Sequence, residues 1–225
     1  MLSEQVKCDA VIFDLDGTLI EFKFEYMRAK EDIIRKFGLM GLDISEISPH
    51  QTIQAILEKA EEKAIENRSR ILCEEIRTTS EEVFGKYEIK AARQSELRGD
   101  AISTLDTLTE RGIKLGLMTN SGREAATINL EKHNLKTYFR SVVTRNEISK
   151  LKPDCEGLEK VIHHLGLFAE RTVYVGDSVL DIKAAKGANI MSVAIVGGVH
   201  SAKILNRENP DYIISGLREV LNIIR

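Results

Sequence analysis

The sequence is poor in the residues that stabilise disulfide-bonded and zinc-bound proteins. It contains three cysteines among 225 residues, Cys8, Cys73 and Cys155, and no CxxC pair. Because these cysteines are odd in number and far apart, we expect neither a disulfide framework nor a zinc site. The sequence therefore favours a reducing, cytoplasmic environment, in which the cysteines serve as small apolar residues.

Long apolar runs and an excess of one charge are also missing. No run approaches the roughly 20 apolar residues that would span a bilayer, and residues 1–5 lack the basic and apolar regions of a secretory signal. The formal net charge of −3 gives no general electrostatic reason to bind nucleic acid or an anionic membrane. We therefore expect no nucleic-acid partner and no membrane partner, and we also expect a monomer or a homodimer.

The chain has the patterning of a globular α/β protein. An apolar run at 6–14 is rich in β-branched residues, which is typical of a buried strand. Further elements are predicted as strands at 113–118, 141–144, 172–175, 191–196 and 212–214, and as helices at 123–134, 153–164 and 179–187, with one more helix that includes Leu97, Leu105 and Leu108. This alternation predicts the α/β fold class, with a doubly wound parallel sheet that carries helices on both faces.

A helical segment interrupts this pattern after the first strand. Residues 21–96 are rich in Glu, Lys, Ala, Ile and Leu at helical spacing. Gly38 ends the first predicted helix, and Ser48-Pro49 suits the start of the next. We therefore predict an all-helical domain at 21–96, inserted into an α/β core formed by residues 1–20 and 97–225.

Polar residues follow the predicted strands at the points where these strands end. Because the carboxyl ends of parallel strands lie at one edge of a sheet, residues distant in the sequence should meet there. The residues that we expect at this edge are Asp14, Asp16, Thr119, Lys152, Asp177 and Asp181. They would bring carboxylates, a hydroxyl and an ammonium group to one site.

This set of groups suits phosphoryl transfer, which needs a nucleophile, charge neutralisation and a proton donor. Asp14 can act as the nucleophile, because a carboxylate is already ionised at pH 7. Asp16, two residues later on a tight turn, can act first as general acid and then as general base. Gly17 lets the backbone take the conformation that brings both carboxylates to the same phosphorus atom.

The carboxylates also predict a Mg²⁺ site, because Mg²⁺ prefers oxygen ligands and few carboxylates are required. Asp14 and Asp177 could supply side-chain ligands, and Asp16 could supply its main-chain carbonyl oxygen. Asp181, one helical turn after Asp177, is expected to hold water on the ion. This set constitutes the predicted metal site.

A second group of residues would bind the phosphate. Lys152 would neutralise the phosphate oxygens and the nucleophile as a point charge. The Thr119 hydroxyl would donate to a phosphate oxygen, assisted by the main-chain N–H groups of Asn120 and Ser121. Lys150 is an alternative to Lys152, since it lies only two residues earlier.

Taken together, these residues resemble the motifs of the haloacid dehalogenase superfamily. The matching segments are Asp14-Leu15-Asp16-Gly17-Thr18-Leu19, Thr119-Asn120-Ser121, Lys152-Pro153 and Gly176-Asp177-Ser178-Val179-Leu180-Asp181. The resemblance implies a Rossmann-like core, dependence on Mg²⁺, and hydrolysis of a small phosphorylated metabolite. It also favours Lys152 over Lys150, because a proline follows Lys152. The inserted helices are similar to the helical cap of the phosphoglycolate phosphatase-like and β-phosphoglucomutase-like group, and cap closure would hinge near 20–22 and 95–98.

Three other functions compete with a phosphatase. In the dehalogenases of this superfamily the position of Asp16 is not an acid, so the aspartate here favours phosphate chemistry. A phosphomutase of the β-phosphoglucomutase type would use the same core and differ in how its cap admits water. A non-catalytic binding module usually loses the nucleophile or the metal carboxylates, and this sequence retains both.

Overall fold

The computed structural model describes residues 5–21, 23–66 and 70–225, without the side chains of 70–72. Residues 1–4, part of the segment examined for a secretory signal, and residue 22 of the predicted hinge at 20–22 lie outside these ranges. The chain divides into two compact units, one formed by residues 1–22 and 92–225 and the other by residues 23–91. That the second unit acts as a cap stays a prediction.

A six-stranded parallel sheet forms the centre of the larger unit. Its strands, together with a short separate pair, β2 and β3, are β1 (Ala10–Phe13), β2 (Ile20–Glu21), β3 (Glu96–Leu97), β4 (Lys114–Met118), β5 (Phe139–Val143), β6 (Thr172–Gly176), β7 (Met191–Ile195) and β8 (Tyr212–Ile214). The order of the main sheet is β5-β4-β1-β6-β7-β8, so the strand order reverses beside the central strand β1. Ligand sites in such sheets lie at this reversal, outside the carboxyl ends of the strands.

The central strand shows why the strands read as unbroken apolar runs. Val11 and Phe13 pack into the core on one face of the sheet, whereas Ala10 and Ile12 pack into a second core on the opposite face. Successive side chains point to opposite faces of a strand, so a sheet covered on both faces needs apolar residues at every position.

Helices cover both faces of the sheet. They are α4 (Ala101–Glu110), α5 (Arg123–Lys132), α6 (Glu156–Leu165), α7 (Val179–Gly187), α8 (Ala202–Arg207) and α9 (Val220–Ile223). The first core includes Leu105 of α4 and Leu130 of α5, and the second includes Val161 of α6 and Ala184 of α7. The predicted α/β class, with a Rossmann-like, doubly wound parallel sheet, is confirmed.

The smaller unit is built from helices. In the described part of the chain these are α1 (Tyr26–Leu39), α2 (Ile53–Glu66) and α3 (Arg70–Gln94). Ile33 and Phe37 of α1, Ile56 of α2 and Ile76 of α3 are fully buried in a core of their own. Helical spacing thus produces one apolar face on each helix. No helix in the ranges that the structure describes is long and apolar enough to cross a membrane.

Two short strands include three residues that were predicted as helical, Glu21, Glu96 and Leu97. β2 and β3 pair antiparallel, with Ile20 opposite Leu97 and Glu21 opposite Glu96. The assignment of Leu97 to a helix was therefore wrong. A two-residue strand is too short to show the alternation of apolar and polar residues that predicts a strand. These strands are defined only by their pairing with each other, across a long stretch of sequence.

Two predicted helix starts were also wrong. α6 begins at Glu156 rather than at Pro153, which follows a cis peptide bond. The Glu156 carboxylate accepts the main-chain N–H groups of Ser149 and Lys150, both at 2.9 Å, so the preceding segment is held as a loop. α2 begins at Ile53, because the Thr52 hydroxyl caps it by accepting the N–H of residue 55 at 3.2 Å.

Candidate active site

Three buried carboxylates meet at the carboxyl edge of the sheet. Asp14 follows β1 and Asp177 follows β6, and these two strands are neighbours in the sheet. Asp181 lies in the first turn of α7. One oxygen atom from each of the three side chains lies within 4.8 Å of the other two. Each of these residues is at most 4% exposed, so the cluster is held in the protein interior.

Lys152 contacts two of these carboxylates. Its ammonium group lies 2.5 Å from Asp14 Oδ1 and 2.6 Å from Asp181 Oδ1, and it donates to the Tyr174 hydroxyl at 3.0 Å. A buried ammonium group has three protons to satisfy, and these three acceptors match that number. The geometry therefore places a fully hydrogen-bonded cation beside the Asp14 carboxylate.

The pKa values of these groups follow from burial and from the mutual contacts. Burial raises the pKa of Asp14 well above its ordinary value; Lys152 opposes this shift, and Asp181 and Asp177 add to it. Burial raises the pKa of Asp177 as well. For Asp181 burial is again the largest cause and acts in the same direction, but the Lys152 ammonium together with the hydrogen bonds from Ser178 and Tyr174 holds the pKa below its ordinary value. Burial lowers the pKa of Lys152, but Asp14 and Asp181 hold it well above the ordinary value.

This charge balance fits a divalent cation. When all three carboxylates of the cluster are ionised, they carry more negative charge than the single ammonium group of Lys152 can neutralise. The raised pKa values of Asp14 and Asp177 have burial as their largest cause, and the neighbouring carboxylates add to the shift. Hard cations such as Mg²⁺ take oxygen ligands, and carboxylates are the strongest of these in proteins. Asp14, Asp177 and Asp181 are thus able to hold such an ion.

Asp177 lies between two glycines. Gly17 has a φ of +86°, and a Cβ atom there would lie 2.4 Å from Asp177 Oδ2. A Cβ atom at Gly198 would lie 2.1 Å from the same oxygen. The main-chain N–H of Val199 donates to Asp177 Oδ2 at 2.5 Å, and the Thr18 hydroxyl donates to Oδ1 at 3.4 Å. Only glycine leaves room for the carboxylate at both positions.

Asp16 lies beside the carboxylate cluster and binds two hydroxyl groups. Its Oδ2 atom accepts from Ser121 at 2.6 Å and from Thr119 at 3.1 Å. Both hydroxyls follow β4, the sheet neighbour of β1. The predicted phosphate-binding hydroxyl of Thr119 therefore contacts the predicted general acid in this structure.

The side chain of Asn120 binds the main chain of Lys152, and the predicted contact of the Asn120 main-chain N–H with phosphate stays a prediction. Its Oδ1 atom accepts the N–H of Lys152 at 3.0 Å, and its Nδ2 atom donates to the Lys152 carbonyl at 3.3 Å. Lys150, by contrast, has a 72% exposed side chain that pairs with Asp154 at 3.7 Å. The structure thus places Lys152, and not Lys150, beside Asp14.

Sequence reasoning missed two residues of this site. Tyr174 is buried in β6, and its hydroxyl donates to Asp181 Oδ1 at 2.8 Å. The sequence offered little indication of this role, because a tyrosine between two valines is typical of a buried strand. Ser178 donates to Asp181 Oδ2 at 2.6 Å and forms a capping box with it at the start of α7. That signal was readable, since Ser-x-x-Asp before a helix is a recognised N-terminal pattern.

Comparison with known proteins gives one family. A model of the family described as "Haloacid dehalogenase-like hydrolase" matches residues 11–195 of the chain. The match covers most of the sheet and includes Asp14, Asp16, Lys152, Asp177 and Asp181, whereas Gly198 and Val199 follow the matched segment.

Individual relatives extend over nearly the whole chain. The chain is 28% identical to the "Putative pyrophosphatase PpaX" of Caldanaerobacter subterraneus subsp. tengcongensis, over 98% of this chain and 96% of that protein. It is 25% identical to the phosphoglycolate phosphatase of Vibrio parahaemolyticus, over 95% of each chain. The crystal structure of a "Putative haloacid dehalogenase-like hydrolase" from Bacteroides fragilis matches with a TM-score of 0.69 at 23% identity, covering 95% of this chain and 100% of that chain. This last likeness shows a shared fold.

Proposed function

The chain belongs to the haloacid dehalogenase-like hydrolase family, and on that basis we propose that it is a phosphatase that acts on small phosphate monoesters through an aspartyl-phosphate on Asp14. The observation that carries the proposal is the contact between Lys152 and Asp14 at 2.5 Å, inside a cluster of further carboxylates. A buried carboxylate held by an ammonium group is oriented for attack, because its rotation is restricted.

In the first step, a carboxylate oxygen of Asp14 attacks the phosphorus atom of the substrate. The bond from phosphorus to the ester oxygen breaks, and Asp16 gives its proton to that departing oxygen. The Ser121 and Thr119 hydroxyls, which bind Asp16 Oδ2, would hold the acid in place. The products of this step are the free alcohol and a phosphorylated Asp14.

In the second step, a water molecule attacks the same phosphorus atom. Asp16, now ionised, accepts a proton from the water, and the bond between phosphorus and the Asp14 oxygen breaks. Inorganic phosphate leaves and both aspartates return to their starting states. Lys152 would stabilise the negative charge on the phosphoryl oxygens in both steps.

We also propose that Mg²⁺ is required. Asp14 and Asp177 would hold the ion with their side chains, Asp16 would add its main-chain carbonyl oxygen, and Asp181 would complete the site through water. When bound, Mg²⁺ reduces the repulsion between the anionic substrate and the anionic nucleophile. The proposal is supported by the excess of carboxylates over ammonium groups in the cluster.

We propose that the substrate is a small phosphorylated metabolite. Relatives are named for pyrophosphate and for phosphoglycolate, so both compounds belong in the first test. The inserted helices, predicted as 21–96, are proposed to act as a cap that selects the leaving group. A phosphomutase remains the second candidate function, and steady release of inorganic phosphate from sugar phosphates without isomer formation would exclude it.

The cytoplasmic location of the protein and its monomeric or homodimeric state stay predictions.

Asp14→Asn tests the covalent step. We expect this variant to fold and to lose turnover on phosphoglycolate, pyrophosphate, sugar phosphates, nucleotides and an aryl phosphate, with and without added Mg²⁺. Asp106→Asn is the matched control, because Asp106 is an exposed aspartate that accepts a hydrogen bond from Tyr138. Mass spectrometry after rapid quenching should find one phosphoryl group on the wild-type protein and none on Asp14→Asn. Near-normal turnover by Asp14→Asn would refute the covalent step.

Asp16→Asn tests the proposed role of Asp16 as the general acid. The loss of kcat/KM should be larger for a sugar phosphate than for an aryl phosphate, because the poorer leaving group needs the proton more. Equal losses on both substrates would contradict general acid catalysis by Asp16. Wild-type protein that fails on every ester with Mg²⁺ would instead favour a non-catalytic binding module.

A further inference from the structure

Arg98 joins two loops of the candidate site. It follows β3, and its Nη2 atom donates to the carbonyl oxygen of Gly17 at 2.7 Å. Its Nη1 atom donates to the carbonyl oxygen of Val196 at 3.2 Å. The Gly17 loop follows β1 and the Val196 loop follows β7, so these strands lie on either side of β6. One guanidinium group therefore connects loops that are distant in the sequence.

The same two loops enclose Asp177. Gly17 approaches the carboxylate from one loop, and Gly198 approaches it from the other, two residues after Val196. The N–H of Val199 then donates to Asp177 Oδ2. A change in the spacing of the two loops would therefore move the groups that fix this carboxylate.

We propose that Arg98 is a positioning residue for Asp177, because it sets the distance between the two loops that confine the carboxylate. The inference rests on the proposed function, since it assigns Asp177 to the metal site. The planar guanidinium fork suits this task, because it can donate to two acceptors in fixed directions. Groups that orient metal ligands commonly change metal affinity when they are replaced.

The test compares two arginines that each bridge main-chain carbonyls. Arg111 donates to the carbonyl oxygens of Leu221 at 3.0 Å and Ile224 at 3.5 Å, which belong to the α9 region rather than to the site. Arg98→Met and Arg111→Met each remove such a bridge. For each variant, Mg²⁺ affinity is measured by titration calorimetry on the metal-free protein with Mg²⁺ alone. The free energy of unfolding without metal and the dependence of kcat on Mg²⁺ concentration are measured as well.

We expect Arg98→Met to bind Mg²⁺ about 10-fold more weakly than the wild type, and to recover most of its kcat at saturating Mg²⁺. Arg111→Met should bind Mg²⁺ as the wild type does, whatever its loss of stability. Unchanged Mg²⁺ affinity in Arg98→Met, or an equal loss in Arg111→Met, would overturn the inference.

A third variant separates this inference from the proposed function. Asp177→Asn should weaken Mg²⁺ binding; if it does not, the metal site itself is wrong and the inference falls with it. If Asp177→Asn weakens binding and Arg98→Met does not, the proposed function stands and the inference alone fails.

Further variants keep the test decisive if Arg98→Met does not fold. Arg98→Lys retains the charge but has one donor group for two distant carbonyls, so its Mg²⁺ affinity should lie below that of the wild type. Gly198→Ala places a methyl group against Asp177 and should also weaken Mg²⁺ binding. Because both changes act on one carboxylate, their effects combined should differ from the sum of the single effects. Wild-type affinity in Arg98→Lys, or strict additivity in the double variant, would count against the inference.

Discussion

The phenolic oxygen of Tyr174 lies 3.0 Å from the ammonium nitrogen of Lys152 and 2.8 Å from Asp181 Oδ1. The hydroxyl accepts a hydrogen bond from the lysine and donates one to the carboxylate. The tyrosine therefore helps to fix the direction in which the Lys152 ammonium group reaches Asp14.

Tyr174→Phe should lower kcat by about 10-fold, because the lysine loses one of its three acceptors and its ammonium group gains rotational freedom. The aromatic ring stays in place, so the fold should be retained. Steady-state kinetics at saturating Mg²⁺ measures the effect. Tyr138→Phe removes a tyrosine–aspartate hydrogen bond of 2.6 Å far from the site and should leave kcat unchanged. Equal kcat values for the wild type and Tyr174→Phe would disprove this positioning.

Lys152→Ala and Lys150→Ala form a matched pair. Lys152→Ala leaves the buried carboxylates of Asp14 and Asp181 without their cation, which should reduce kcat/KM at least 100-fold and lower the free energy of unfolding by about 3 kcal/mol. Lys150→Ala removes an exposed ion pair and should change neither quantity measurably. Kinetics and urea denaturation check both expectations. A larger effect of Lys150→Ala would reverse the assignment of the two lysines.

Ser178→Ala should affect both stability and activity. It removes the cap of α7, which costs about 1 kcal/mol, and it removes the hydroxyl that donates to Asp181 Oδ2 at 2.6 Å. We therefore expect a lower free energy of unfolding and a several-fold lower kcat. Thr144→Ala removes a comparable capping box at residues 145–147 and should lower stability alone. A kcat loss of the same size in both variants would mean that Ser178 acts only through stability.

The pH dependence of stability should include a contribution from His133. Its Nε2 atom lies 2.9 Å from the Ser95 hydroxyl, and burial, with a smaller effect of Lys132, lowers its pKa below the ordinary 6.5. The unfolded chain therefore takes up a proton at a higher pH than the folded chain does. Stability should fall as pH falls below 6.5 towards the folded-state pKa, and should be insensitive to His133 above 6.5.

Urea denaturation at pH 7.5 and pH 5.5 tests this contribution. His133→Gln should show a smaller loss of stability between the two pH values than the wild type does. His163→Gln, which changes an exposed histidine of α6, serves as the control. Identical losses in the wild type and His133→Gln would remove His133 from the explanation.

The parts of the fold and the site that sequence reasoning predicted are those with local signals. The β-branched run before Asp14 and the strand before Asp177 marked two neighbouring strands, and the polar residue after each strand marked the edge where the structure brings them together. The resemblance to the family was readable because its motifs are short and contiguous, and the match of the family model to residues 11–195 confirms it. The catalytic roles of these residues stay predictions.

Several of the parts that were missed depend on contacts that leave no periodic pattern in the sequence. Arg98 donates to the carbonyls of Gly17 and Val196, and a bond to a main-chain carbonyl requires no particular residue at that position. The pairing of Ile20 with Leu97 likewise leaves no period in either segment. The start of α6 was misplaced because the Glu156 side chain binds the preceding loop, which a helix-start rule based on proline ignores.

The β2–β3 pair has a practical consequence for protein engineering. Because Ile20 lies opposite Leu97, the polypeptide departs from the sheet-containing unit and returns to it at adjacent positions. The inserted segment 21–96 can therefore be exchanged for the equivalent segment of a relative by joining the two chains at these positions. If the inserted segment alone selects the substrate, such a chimaera would keep the reaction of this protein and take the substrate preference of the relative that supplied the segment.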